Sequence, residues 1–197
     1  MEGAIGPATG RLHRICGMEQ EDPTDFAGVR DGFERLWTPH RMVYINGERP
    51  TDEAGAGCPF CAAPDRDDAE GLIVHRGQSC YVVMNLFPYN PGHVLVCPYR
   101  HVSRYVDLTD EETVEFTSFT KDSLTAQDES SAPHGYNIGM NQGAVAGAGV
   151  AAHLHQHVVP RWGGDSNFLP VIGQTKALPM LLEDVRQRLV DAWPTEA

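Results

Sequence analysis

The 197-residue chain lacks long apolar runs; segments such as Tyr81–Met84 fall far short of the roughly 18 residues that span a bilayer. It is also poor in basic residues, with 15 Lys and Arg against 27 Asp and Glu and a formal net charge of −12. A phosphate backbone demands a basic footprint, so nucleic acid is not expected as the main partner, whereas a small phosphorylated ligand needs only a local pocket. Met1–Gly17 shows no basic block followed by an apolar one, and the five cysteines are an odd number for a disulfide framework. The expectation is a reduced, cytoplasmic protein without membrane association. Internal repeats are missing as well. What is present, 41% hydrophobic and 21% charged residues, suffices for a core and excludes a wholly disordered chain.

Residues 1–30 are rich in Gly, Pro and acids without periodicity and are expected to form a flexible tail, leaving 31–197 as the domain. Phe33–Trp37 reads as a short helix ended by Pro39, His40–Ile45 as a strand or surface arm, and Gly47–Gly57 as a loop. Leu72–Val74, Cys80–Leu86 and Val94–Cys97 are β-rich runs separated by Gly77 and by Pro88-Tyr89-Asn90-Pro91-Gly92. Thr109 and Glu112 form a capping box that opens a helix reaching about Ala126, with Val114, Phe116, Phe119 and Leu124 as its apolar face. Gly135–Met140 and His153–Val159 read as two further strands around a Gly/Ala-rich loop. A helix at Pro179–Trp193 closes the chain, with Leu181, Leu182, Val185, Leu189 and Trp193 at helical spacing. Meandering strands with segregated helices predict an α+β domain. Cys80 and Cys97 read as small core residues, Cys16 as a tail thiol, and His13, His40, His75 and His134 as surface residues.

The most informative segment is His153-Leu154-His155-Gln156-His157-Val158-Val159-Pro160. In a strand the three histidines share one face, about 6.5–7 Å apart. Buried imidazoles need hydrogen-bond partners, so three on one face are poor packing material and point to chemistry. Neutral imidazole leaves two readings open, a metal site and a nucleophilic or acid–base site. Just upstream, Gly143-Ala144-Val145-Ala146-Gly147-Ala148-Gly149 can turn several backbone N–H groups toward one anion. A phosphate held there would lie against the imidazoles, and Asn141 and Gln142 could donate further hydrogen bonds. Cys58-Pro59-Phe60-Cys61 is a Cys-x-x-Cys pair in Gly-rich surroundings with Pro64 close behind. A thioredoxin-like redox pair wants a strand before it and a helix after it; a closed tetrahedral zinc site wants two more ligands.

The histidine segment matches the His-φ-His-φ-His-φ-φ signature of the histidine-triad family apart from polar Gln156. Asn85, the run Pro91-Gly92-His93-Val94-Leu95-Val96, and Asn141 before the glycine loop follow in family order over about Gly71–Trp162. The chain thus resembles the nucleotide hydrolases and transferases of that family. Arg161–Phe168, the Leu36-Trp37-Thr38-Pro39 entry and Gly173–Leu178 resemble its bacterial diadenosine tetraphosphate phosphorylase branch in particular. Two positions depart from the pattern. Ala148 stands where many members have Gln, and Ala152 where this branch is expected to carry a polar or acidic residue.

The resemblance implies a HIT-like fold: an antiparallel sheet of about five strands with a long helix and a C-terminal helix, paired across a homodimer or larger homo-oligomer. It implies that His155 attacks the α-phosphorus of a dinucleoside polyphosphate or mononucleotide and that His157 donates to phosphate oxygens. By the same resemblance Asn85 contacts the ribose, His93 lies beside the triad, and Asn141, Gly147, Ala148 and Gly149 hold phosphate. A structural zinc is implied on Cys58, Cys61, His101 and His153. Inorganic phosphate as second acceptor would give ADP and ATP from diadenosine tetraphosphate; water, in a hydrolase or phosphoramidase, would give AMP. A non-catalytic nucleotide-binding module would keep Asn85 and the glycine loop but would need no nucleophile.

Overall fold

The computed structural model describes residues 57–165 and 178–195. The N-terminal tail, Phe33–Trp37, His40–Ile45, Cys16, His13, most of Gly47–Gly57, Ser166–Phe168 and most of Gly173–Leu178 lie outside them.

Short β-branched runs bounded by turn residues become one antiparallel sheet. Its strands are β1 (Ile73–Arg76), β2 (Cys80–Met84), β3 (Val94–Pro98), β4 (Gly135–Gly139) and β5 (Gln156–Arg161), in the spatial order β1-β2-β3-β5-β4. A one-turn helix α1 (Pro59–Ala62) precedes the sheet, α2 (Asp110–Ser131) links β3 to β4, and α3 (Leu182–Asp191) follows β5. The α+β architecture, the strand number and both principal helices are as the sequence predicts.

The two central strands read as continuous apolar runs because both sheet faces are covered. Cys80, Val82, Met84, Val94, Val96 and Val158 face Phe116 and Phe119 of α2 and Val185 and Leu189 of α3. Tyr81, Val83, Leu95 and Cys97 face the other way, where Ile73, Phe60, Ala63 and Tyr99 pack on them. Burial pushes the Cys80 thiol up to about 12, with Glu115 and Glu112 adding to the shift, so the thiol stays protonated and inert. Cys97 is raised by burial in the same way, and both are the small core residues expected.

The capping box at α2 forms as read: Glu112 N–H donates to Thr109 Oγ1 at 3.2 Å and Thr109 N–H to Glu112 Oε2 at 2.8 Å. The helix runs five residues beyond Ala126, because its buried stripe continues through polar Ser123 and Gln127 rather than stopping with the apolar residues. It ends at Ala132, in the left-handed region just before Pro133. Val114 is not on the buried face; it is 72% exposed. The C-terminal helix is shorter than expected, Leu182–Asp191, and β2 stops at Met84 because Asn85 turns the chain, its Oδ1 accepting the Phe87 N–H at 3.0 Å. His75 is half-buried rather than a surface residue, stacked on Trp193 at 4.7 Å. His134 is exposed, as expected.

Candidate active site

The first two triad histidines lie ahead of β5, which begins at Gln156, so the expected strand His153–Val159 is displaced toward its C-terminal end. The ladder to β3 ends at Val96 and Gln156 because Pro98 has no N–H to offer and its carbonyl is taken by His153 Nε2 at 2.9 Å. The extended course persists through one further bond, Leu154 N–H to the Val102 carbonyl at 2.6 Å. His157 pairs with Leu95 on one side and Gly139 on the other. Among the described residues a Cβ at Gly139, opposite His157, would meet nothing within 4 Å.

Each histidine's protonation pattern follows from groups that can act in only one sense. A carbonyl only accepts, so His153 donates through Nε2 and turns the lone pair of Nδ1 toward the cysteines. His155 donates through Nδ1 to the His153 carbonyl at 2.9 Å, which leaves Nε2 as its bare nitrogen. A backbone N–H only donates, so the Tyr89 N–H at 3.0 Å makes His93 Nδ1 an acceptor and places the His93 proton on Nε2. That Nε2 lies 2.9 Å from His157 Nδ1, which must accept, so His157 carries its own proton on Nε2. Burial lowers the pKa of His155, and of His157 to about 4, where neighbouring His155 contributes as well. At neutral pH the pair is one bare nitrogen and one N–H donor, with ring centroids 5.1 Å apart.

Two further aromatic rings frame the pair. Phe60 packs 4.8 Å from the His155 ring, and half-exposed Tyr89 stacks 5.7 Å from His157 and 4.7 Å from His93. Asn85 lies against His93, its Nδ2 3.3 Å from Nδ1. Asn141 and the glycine loop leave β4 directly after Gly139. The loop turns at Gly143 and Gly147, both at positive φ that glycine alone adopts without strain, around a short 3-10 turn at Ala144–Ala146. Ala148 is 1% exposed, so its methyl is core and a larger side chain there would overpack. Gln142 Oε1 accepts the Tyr105 N–H at 2.9 Å, which leaves donation to its Nε2.

The second cluster is Cys58, Cys61, His101 and His153, whose ligand atoms all lie within 4.8 Å of one another. Cys58 Sγ is 3.4 Å and Cys61 Sγ 3.5 Å from His153 Nδ1, and Cys61 Sγ is 3.2 Å from His101 Nδ1. A tetrahedral ion with bonds of about 2.0–2.3 Å sets sulfur and nitrogen roughly 3.5 Å apart, so the donor set fits a closed metal site. His153 Nε2 on the Pro98 carbonyl supplies the outer hydrogen bond such a ligand ring needs. The cysteine pair flanks the start of α1, but no redox partner is required to explain it.

Sequence reasoning missed Tyr89 and Phe60, although each sits inside a segment singled out on other grounds, the turn at Pro88–Gly92 and the Cys-x-x-Cys pair.

Among the described residues no helix is long and apolar enough to cross a membrane. A model of the HIT domain matches residues 66–164. An AP-4-A phosphorylase of Mycobacterium tuberculosis is 46% identical over 89% of this chain and 98% of its own length. Among solved structures, a Zn-bound histidine triad family protein from Mycobacterium smegmatis has a TM-score of 0.55 at 25% identity, covering 70% of this chain and 93% of that one. A hypothetical histidine triad nucleotide-binding protein from Sulfolobus tokodaii shares the fold, with a TM-score of 0.57 at 24% identity over 68% and 91% of the two chains. The signature histidines, the sheet that carries them and a relative alike along nearly its whole length agree: the chain belongs to the histidine-triad, or HIT-domain, family.

Proposed function

We propose that the protein is a nucleotidyltransferase that phosphorolyses diadenosine tetraphosphate to ADP and ATP through a nucleotidyl-histidine intermediate. The observation that carries this is the pairing of a bare His155 Nε2 with an N–H donor on His157. The likeness to a phosphorylase over nearly its whole length supports the choice of substrate.

In the first step His155 Nε2 forms a bond to the α-phosphorus and the bond from that phosphorus to the α–β bridging oxygen breaks, releasing ATP. The departing oxygen takes the hydrogen bond of His157 Nε2. Positive charge arising on the His155 ring is offset by its Nδ1–H bond to the His153 carbonyl. In the second step an oxygen of inorganic phosphate attacks the same phosphorus, the P–N bond breaks, and ADP leaves. Asn141 and the amides of Gly147, Ala148 and Gly149 face the phosphate charge, which is where most of the barrier lowering in phosphoryl transfer arises. Asn85 contacts the ribose, and His93 sets the His157 tautomer.

Cys58, Cys61, His101 and His153 hold a zinc ion whose role is structural, because all four positions are protein ligands. It ties α1, and with it Phe60, to the residue whose carbonyl orients His155. The domain comprises residues 31–197, preceded by a tail, and acts in the cytoplasm as a homo-oligomer. β4 is an edge of the sheet with Ile138 half-exposed, a place where a second copy can continue it. Light scattering on the purified chain tests that assembly.

The deciding experiment is product analysis with isotopically labelled phosphate. Label entering the β-position of ADP, with ATP as the other product, establishes phosphorolysis. AMP plus ATP at saturating phosphate makes the protein a hydrolase, with the histidine chemistry unchanged.

A further inference from the structure

Two buried amide side chains lie outside the chemistry but grip the turn that carries His93. On the β5 side, Asn90 is 2% exposed and its Nδ2 spends both hydrogens, on the Pro160 carbonyl at 2.9 Å and on Asp165 Oδ2 at 2.7 Å. The Arg161 guanidinium, at 2.6 and 2.9 Å, holds the Asp165 carboxyl well below the usual carboxylate range, so the acceptor stays ionised. On the α2 side, fully buried Gln127 donates through Nε2 to the Gly92 carbonyl at 2.7 Å. Its Oε1 is buried with no hydrogen-bond partner among the described residues. A side chain that leaves an amide oxygen orphaned in the core is a poor packing choice where Met or Leu would fill the same volume. What Gln127 supplies and they cannot is the bond to Gly92. Gly92 itself sits at φ +81° immediately before His93.

Between these two anchors run the bonds that orient His93: its own N–H to the Asn90 carbonyl at 3.1 Å, and the Tyr89 N–H to its Nδ1 at 3.0 Å. We infer that Asn90 and Gln127 are positioning residues that hold the Tyr89 N–H on His93 Nδ1 and thereby decide which nitrogen of His157 carries the proton. The neutral tautomers of imidazole lie close in energy, so a single fixed donor selects between them. If the turn slackens, His93 can move its proton to Nδ1 and present a bare Nε2 to His157. The His157 proton then shifts to Nδ1, and the nitrogen facing the substrate loses its hydrogen. The catalytic consequence rests on the donor role proposed for His157; the tautomer itself does not.

The test uses the full-length, metal-replete protein with 15N-labelled histidine, and two variants, Gln127→Met and Asn90→Ala. In the parent protein the His157 Nε2 shift should be that of a protonated ring nitrogen and Nδ1 that of a bare one. In both variants the two shifts should move toward each other, kcat should fall about tenfold, and KM should stay within about twofold. Gln127→Met removes the orphaned oxygen and fills the same space, so its Tm should stay within about 3 °C of the parent. Loss of stability with unchanged His157 shifts and unchanged kcat would make Gln127 a packing residue and overturn the inference. Shifted nitrogens with full kcat would establish that the two amides set the tautomer and would overturn the donor role proposed for His157. If the parent protein fails to turn over diadenosine tetraphosphate with phosphate, the functional reading falls, while the nitrogen shifts still decide whether the two amides set the tautomer.

Discussion

Removing the proposed zinc should separate the parts of this molecule that fold unaided from those that do not. The four donors all lie within 4.8 Å of one another, and three sulfur–nitrogen separations, 3.2–3.5 Å, lie close to a tetrahedral edge. An ion held at 1,000 times its dissociation constant adds about 4 kcal/mol to the native state. For a chain of this size each kcal/mol moves Tm by about 2–4 °C, so full chelation should lower Tm by roughly 8–16 °C. The sheet should survive, because its core rests on α2 and α3, and burial keeps His153 neutral rather than stranding a charge. The damage should be local. Tyr81 Oη donates to the Phe60 carbonyl at 2.6 Å, and Phe60 packs on His155, so amide exchange should rise at residues 58–65 and at Tyr81. Acid should act like a chelator, since thiolates and imidazoles must lose protons to bind metal. The assays are elemental analysis, thermal melts with and without chelator, and hydrogen exchange. Protein prepared without chelator that holds no zinc, or a metal-stripped protein with an unchanged Tm, would refute the reasoning.

Replacing His155 by Ala should lower nucleotidyl transfer by at least about 10³-fold while Tm falls by no more than roughly 5 °C; near-normal turnover of the pure variant would remove His155 as nucleophile. Glu115 accepts three backbone N–H bonds, from Gln78 at 2.8 Å, Ser79 at 2.6 Å and Cys80 at 2.7 Å, closing the turn between β1 and β2. Burial pushes its pKa up, but those N–H groups outweigh burial and hold it below the usual range. A depressed native pKa stabilises above the unfolded value of about 4.3 and is lost as pH falls through the native one. Glu115→Gln should therefore cost about 1–2 kcal/mol at pH 7, with the gap to the parent closing below about pH 4; an equal gap at both pH values would contradict the ionic account.

Local pattern was enough to locate most of this fold. Period-2 and continuous apolar runs marked all five strands, Thr109 and Glu112 marked the start of the long helix, and histidine spacing marked the reactive segment. These signals work because side-chain direction along a strand or helix is set by the backbone itself. At two of the ends the pattern misplaced, a distant group had intervened. Gln127 extends α2 because Gly92, 35 residues away, accepts its hydrogen bond. β5 starts late because the carbonyl of Pro98, 55 residues away, is spent on His153.

The sequence by itself determined which residue types were available: imidazoles at alternate positions, a thiol pair and a glycine-rich turn. Only the tertiary structure decided what they are to one another. The strand order β1-β2-β3-β5-β4 sets β5 against β3, and that contact brings His93 to His157 across 64 residues and Asn90 to Pro160 across 70. Packing of α1 against the sheet brings Cys58 to His153 across 95. Strand order is absent from local propensity, and without it the proton on each ring cannot be placed. A histidine's tautomer is fixed by the one-way donor or acceptor that meets it, and here each such group, the Tyr89 N–H and the His153 and Pro98 carbonyls, is backbone delivered by the fold.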